Sequence, residues 1–167
     1  MALEYVPATL AHAATLAPRL RAADVREIDA AAGVDGLTGL EVSIAASEAA
    51  FAVLADGEVV AVFGVSRPSL LDPATGQIWM LASDAAALHV RSWMTDSKRW
   101  LAAFASELGF EVLVNRVDAR NTVHIRWLRA MGAAVSCGVK GEAFLPFSIE
   151  ASRLCASSPP PSSHTPH

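Results

Sequence analysis

The spacing of apolar residues along the chain changes several times, and each change marks an element. Glu4-Tyr5-Val6-Pro7 is short and β-leaning, and Pro7 closes it because proline cannot donate to a ladder. Thr9 then predicts a helix N-cap. An alanine-rich run follows through Arg21, with Leu16 and Leu20 four residues apart on one face. Asp24 predicts the cap of a second helix ending near Gly33. Gly33, Gly36 and Gly39 predict a loop, and residues 40–48 a short helix.

The spacing then becomes that of strands. Residues 51–54 and 59–65 flank Asp56-Gly57, and Asp-Gly between two apolar runs predicts a hairpin because the tight turn needs positive φ. A loop containing Pro and Gly covers 67–76, and 77–81 predicts a third strand of the same sheet. Helical spacing returns with Thr95 or Asp96 as cap, Trp100, Leu101, Phe104 and Leu108 as an apolar stripe, and Gly109 as the stop. Residues 111–117 predict a buried strand. Asn121 caps a last helix that Gly132 ends, with Ile125, Leu128 and Met131 turned inward. Two β-leaning segments, 134–137 and 142–149, close the series. The order predicts an α/β (α+β) domain over 1–155, built as a mixed, mostly antiparallel sheet flanked by helices. Residues 156–167, rich in Ser and Pro, predict a disordered tail.

Composition narrows the classes. A 53% apolar share with 18% charged residues supports one dense core in 167 residues. The net charge of -4 argues against holding long nucleic acid by bulk electrostatics. The first residues lack a basic segment followed by an apolar run, so no signal peptide is expected, and no run approaches the roughly 20 residues a bilayer span needs. Cys137 and Cys155 have no His or Cys at ligand spacing, which predicts free thiols and no metal site. A cytoplasmic location is the expectation.

The stretch from Arg120 to Ala133 carries Asn121, Ile125 and Gly132 at offsets that match the strand–Asn–helix–Gly unit of acyltransferases. With the element order, the chain resembles the GNAT acyl-CoA N-acyltransferase fold. That resemblance implies acetyl-CoA as cofactor and N-acetyl transfer to a protein or small amine. A second match runs from Gln77 to Val135 through Ser83-Asp84, Lys98-Arg99, Asn121-Thr122, His124-Ile125-Arg126 and Gly132-Ala133. It resembles the internal virion protein A family of short-tailed phages. It implies a phage or prophage product in virion assembly, with other virion proteins as partners, in the host cytoplasm and the virion interior.

The chain departs from the acyltransferase pattern in two places. GNAT enzymes cradle the CoA pyrophosphate on a glycine-containing loop at a helix N-terminus. Here no glycine lies between Gly76 and Gly109, and Asp96 at the expected helix start would repel a phosphate. The position of the family's tyrosine acid is Leu128, and the only tyrosine is Tyr5. The resemblance therefore implies a degraded acetyl-CoA site on an assembly factor that needs no cofactor, with an active N-acetyltransferase as the alternative. In the enzyme reading Asp84 is the candidate base, against a turn-capping role. Leu81, Ser83, Lys98 and Asn121 are the candidate acetyl-CoA contacts. Trp93, Arg120, Arg126 and Arg129 are candidate partner contacts, against a solvated basic face. His124 reads as an exposed or hydrogen-bonded helix residue ahead of an acid/base role.

Overall fold

The computed structural model describes residues 2–155; the expected Ser/Pro-rich tail, 156–167, lies outside the described residues. The chain runs β1 (Leu3–Pro7), α1 (Leu10–Leu16), α2 (Ala22–Ala32), α3 (Gly36–Ala46), β2 (Ala49–Ala55), β3 (Glu58–Ser66), β4 (Thr75–Ala82), α4 (Val90–Leu108), β5 (Val112–Asp118), α5 (Thr122–Ala130), β6 (Ala134–Val135), β7 (Phe144–Glu150) and α6 (Ala151–Cys155). The strands form one seven-stranded sheet in the order β1-β2-β3-β4-β5-β7-β6. Every neighbouring pair is antiparallel except β4 and β5. The hairpin turn forms as expected, with φ of 51° at Asp56 and 81° at Gly57.

Helices cover both faces. Ala13, Leu16, Ile28 and Leu40 of α1–α3 pack on Val62 and Leu81. Leu101 and Phe104 of α4, Ile125 and Leu128 of α5 and Leu154 of α6 pack on the opposite face, against Phe63, Ile78, Leu113 and Ile149. Strand alternation divides β4 between the layers: Ile78 and Ala82 face α4 and α5, and Leu81 faces α1–α3. Under α4 the rings of Tyr5, Phe51, Phe63, Trp93, Trp100 and Phe104 are in mutual contact, with Phe51 and Trp100 centroids 4.4 Å apart.

Several boundaries differ from the sequence expectation, each for a local reason. Helix α1 stops at Leu16 and a 3-10 turn takes Ala17–Arg19, because Pro18 cannot supply an interior helical N–H. Asp24 is no cap: α2 begins at Ala22, and the buried Asp24 carboxylate binds Arg21 and the backbone of Ala82. Gly36 and Gly39 are helical, because Asp35 caps the Thr38 N–H at 2.8 Å and starts α3 ahead of them. Helix α4 begins at Val90, after a 3-10 turn over Asp84–His89, so Thr95 and Asp96 lie inside it. The inward stripe of Ser97, Leu101 and Phe104 extends back one turn to Trp93, which packs against the same core. Trp93 is thus helical and half-buried, not a loop residue. Asp96 lies inside α4 and not at its start, so its charge does not stand where the expectation set it against a phosphate; it accepts the Tyr5 hydroxyl at 2.7 Å. Strand β7 starts at Phe144 because Gly141, at φ 101°, turns the chain just before it.

Gly39 is the contact point of α2 and α3: a Cβ there would stand 2.6 Å from Cγ2 of Ile28. Gly39→Ala is expected to cost about 1–3 kcal/mol, because Ile28 is buried and has little room to shift. Urea unfolding of the two proteins measures it, and an unchanged midpoint would contradict this packing.

Candidate functional site

Strands β4 and β5 pair only at Thr75↔Val112, Gly76↔Leu113 and Gln77↔Val114. Each is held along its outer edge, β4 by β3 and β5 by β7, so the inner edges separate beyond that point. Asn115 stands at the fork. Its Nδ2 donates to the Ile78 carbonyl at 2.5 Å, and its Oδ1 accepts the Arg116 N–H at 2.8 Å. At the wide end α2 closes the edge of β4. The Ala82 N–H donates to Asp24 Oδ2 at 2.8 Å, and the Arg21 N–H donates to the Ala82 carbonyl at 2.9 Å. Ile78 and Ala82 therefore turn their peptides into the gap. The two-residue period of a strand turns the peptide of Met80 the same way, and β5 offers it no partner.

A cavity of about 670 Å³ occupies the gap and reaches both helical layers. Phe63, Trp93, Trp100 and Phe104 line it beneath α4; Glu27 and Ile28 line it from α2; His124, Trp127 and Leu128 line it from α5. That volume falls within the range of small-molecule sites.

The ionisable groups around the cavity are shifted by burial. Burial raises the carboxyl of Glu27; the Asp118 N–H, donating to its Oε1 at 3.3 Å, opposes this, and the charges of Asp24 and Asp118 add to it. Asp24 is likewise raised by burial, against the opposing pull of Arg21, whose Nε and a terminal nitrogen donate at 3.0 and 2.8 Å. Arg120 holds the Asp118 carboxyl below the usual range through bonds of 3.0 and 2.7 Å. His124 is pulled down to about 4, by burial and then by the charge of Arg21, so its imidazole is neutral at neutral pH. This corrects the expectation of an exposed or hydrogen-bonded histidine: His124 Nδ1 is buried with no partner, and so is Trp127 Nε1 one helical turn on. The two rings lie 5.4 Å apart.

The residues singled out in the sequence scatter around this site. Trp93 lines the cavity. Leu81 lines it too, with its side chain in the α1–α3 core. Ser83 is buried, and its hydroxyl donates to the Val60 carbonyl at 3.2 Å. Asp84 is exposed at the first position of the 3-10 turn, outside the cavity lining. Lys98 is half-buried on α4, also outside the lining. Asn121 caps α5 as expected, accepting the His124 N–H at 3.1 Å. Arg120 is occupied by Asp118, whereas Arg126 and Arg129 are exposed on α5. Sequence reasoning missed Glu27, Asn115 and Trp127. The readable signals were Glu27 three residues after Asp24 on one helix face and Asn115 ending the apolar run 112–114 within a strand. Among the described residues no cluster of metal-binding side chains occurs, and no helix is long and apolar enough to cross a membrane.

No protein-family model matches the chain, and no curated protein sequence matches it. Solved structures do. The spermidine N-acetyltransferase of Vibrio cholerae, in complex with CoA and spermine, superposes with a TM-score of 0.67 at 10% identity, covering 92% of this chain and 98% of that one. A GNAT-family acetyltransferase from Bacillus anthracis gives 0.64 at 13% identity, covering 91% and 96%. A Salmonella typhimurium protein solved with its cofactor acetyl-CoA gives 0.61 at 16% identity, covering 90% and 95%. What is shared at these identities is the fold: the chain has the mixed, mostly antiparallel sheet flanked by helices of GNAT acetyltransferases. The likeness to internal virion protein A rests on sequence motifs alone.

The low pKa of His124 gives a stability signature. Between pH 6.5 and about 4 the unfolded chain protonates this residue and the folded chain does not, so stability falls as the pH falls. The full effect is roughly 3 kcal/mol. Chemical denaturation across this range should show a shallower acid decline for His124→Leu than for the parent. Parallel curves would remove the burial argument.

Proposed function

We propose that the chain is an acyl-CoA-dependent N-acyltransferase that takes the thioester arm of its donor into the gap between β4 and β5. The observation that carries this is the open peptide of Met80, set between the occupied peptides of Ile78 and Ala82 and facing a cavity of ligand size. An extended arm with its own amide groups completes such an edge as a missing strand would. The bound donor supplies an activated acyl carbon. Glu27 acts as the base, because it lines the cavity from the α2 side with a carboxyl already raised by burial. The surrounding Asp24 and Asp118 favour an acceptor that arrives as an ammonium ion. In the balanced reaction the amine nitrogen bonds the acyl carbon and the carbon–sulfur bond breaks. The arriving ammonium first gives one proton to Glu27, which frees the nitrogen lone pair; after attack a second nitrogen proton passes to the sulfur, which leaves with the bonding electron pair as a thiol. Leu128 is fully buried and contributes packing in place of an acid.

The nucleotide half of the donor matters less in this reading. The segment Asp84–His89 is a 3-10 turn without glycine, and Leu88 within it and Val90 just after it are exposed. A second reading, the virion-assembly role implied by the phage resemblance, draws on the same exposed residues together with Val123, which would seat a protein partner.

Isothermal titration tests the first reading. Acetyl-CoA and acetyl-pantetheine should both bind, within about tenfold of each other, at the micromolar affinities common for substrates. No heat from acetyl-CoA, acetyl-pantetheine and free CoA would favour the assembly role. For Glu27→Gln we expect kcat to fall about 100-fold or more. The same change should raise Tm at neutral pH, since the folded state disfavours the ionised carboxyl and glutamine removes that cost. A variant of normal activity would exclude Glu27 as the base.

A further inference from the structure

Helix α5 carries two buried side-chain nitrogens without a partner, His124 Nδ1 and Trp127 Nε1, three residues apart on one face and on residues that line the cavity. A buried polar group without a partner carries the full penalty of its lost hydration, and folded proteins seldom tolerate one that serves no purpose. Two of them, side by side at 5.4 Å between rings and lining one cavity, mark the position of a group that a ligand supplies.

The chemistry of that group follows from the two nitrogens. An indole N–H only donates, so the missing partner of Trp127 is an acceptor. His124 is neutral and carries one ring proton; with that proton on Nδ1 it offers a second donor to the same acceptor. The acceptor is uncharged on entry. The nearby walls are Leu128, Phe144 and Phe147, and Arg21, whose charge reaches His124, is already paired with Asp24. A carboxylate would lose its hydration against these apolar walls, and the one arginine of the cavity lining, Arg116, is exposed. A carbonyl oxygen loses little, and gains most from two fixed donors when negative charge builds on it.

We propose that Trp127 Nε1–H and His124 Nδ1–H receive the thioester carbonyl oxygen of the acyl donor, and so polarise the carbon the amine attacks. This rests on the acyltransfer reading above. It assigns to α5, through side chains, the stabilisation of the oxygen that becomes anionic. The balance of the reaction is unchanged: the charge that gathers on oxygen as the carbon–nitrogen bond forms returns as the carbon–sulfur bond breaks.

The test uses full-length protein and acetyl-CoA labelled with ¹³C at the carbonyl. Infrared difference spectra of the complex report the hydrogen bonding of that carbonyl directly. In Trp127→Phe and His124→Phe the carbonyl stretch should move to higher frequency than in the parent complex. Affinity for free CoA should stay within about threefold, while kcat falls by a factor of about 100–1,000. Thermal melting should show no loss for His124→Phe, which removes a buried nitrogen and keeps a ring. His124→Asn, which keeps an N–H near the Nδ1 position, should retain most of the spectral shift and rate. An unchanged carbonyl frequency in both phenylalanine variants with acetyl-CoA bound, or a kcat within threefold of the parent, overturns the inference and leaves the acyltransfer reading intact. Failure of the parent protein to bind the thioester overturns both.

Discussion

Strands β4 and β5 share three register pairs and then part, and the remainder of the site depends on that parting. A parallel pair continued to its full length would bury Met80's peptide in a ladder and leave no room between the layers. Here β3 and β7 hold the outer edges while Asn115 ends the inner ladder with its side chain. The sheet therefore stays whole on each side of a gap that opens toward the carboxyl ends of two parallel strands. In α/β sheets that is where ligands are generally found.

Closing the gap at its wide end falls to α2. Arg21 and Asp24 bind both peptide groups of Ala82, so the first turn of a helix does what the next residue of β5 would have done. Asp24 is buried and Arg21 half-buried, and a pair with a buried partner contributes more to geometry than to net stability. Burial also sets the protonation of the cavity: it raises Glu27 and lowers His124, favouring the uncharged form of each.

Much of the scaffold is legible in local sequence because its signals are local. Asp56-Gly57 makes its turn, Asn121 caps α5, and Gly109 and Gly132 end their helices at positive φ. The errors arise where a distant contact outweighs the local signal. Thr95 and Asp96 have the chemistry of caps. Trp93 nevertheless packs against Tyr5 and Phe63, strands apart in sequence, and draws α4 back to Val90. Gly36 and Gly39 read as loop residues until Asp35 caps the chain and Ile28 needs the space a side chain would fill.

The sequence by itself determined the order of the main elements, the apolar stripe of several helices and the absence of glycine from 77 to 108. Those properties are set by periods, caps and turns spanning a few residues. Tertiary structure alone decided which polar groups meet. Glu27, Ala82, Asn115, His124 and Trp127 come from four separate elements, and no spacing rule relates the residues of one element to those of another. Whether His124 is a solvated surface residue or a neutral buried one depends on what packs over α5. That is fixed by the sheet beneath it and by the reach of Arg21 across the gap. Desolvation is a property of the whole assembled surroundings of a side chain, so the site's chemistry appears only once the fold encloses it.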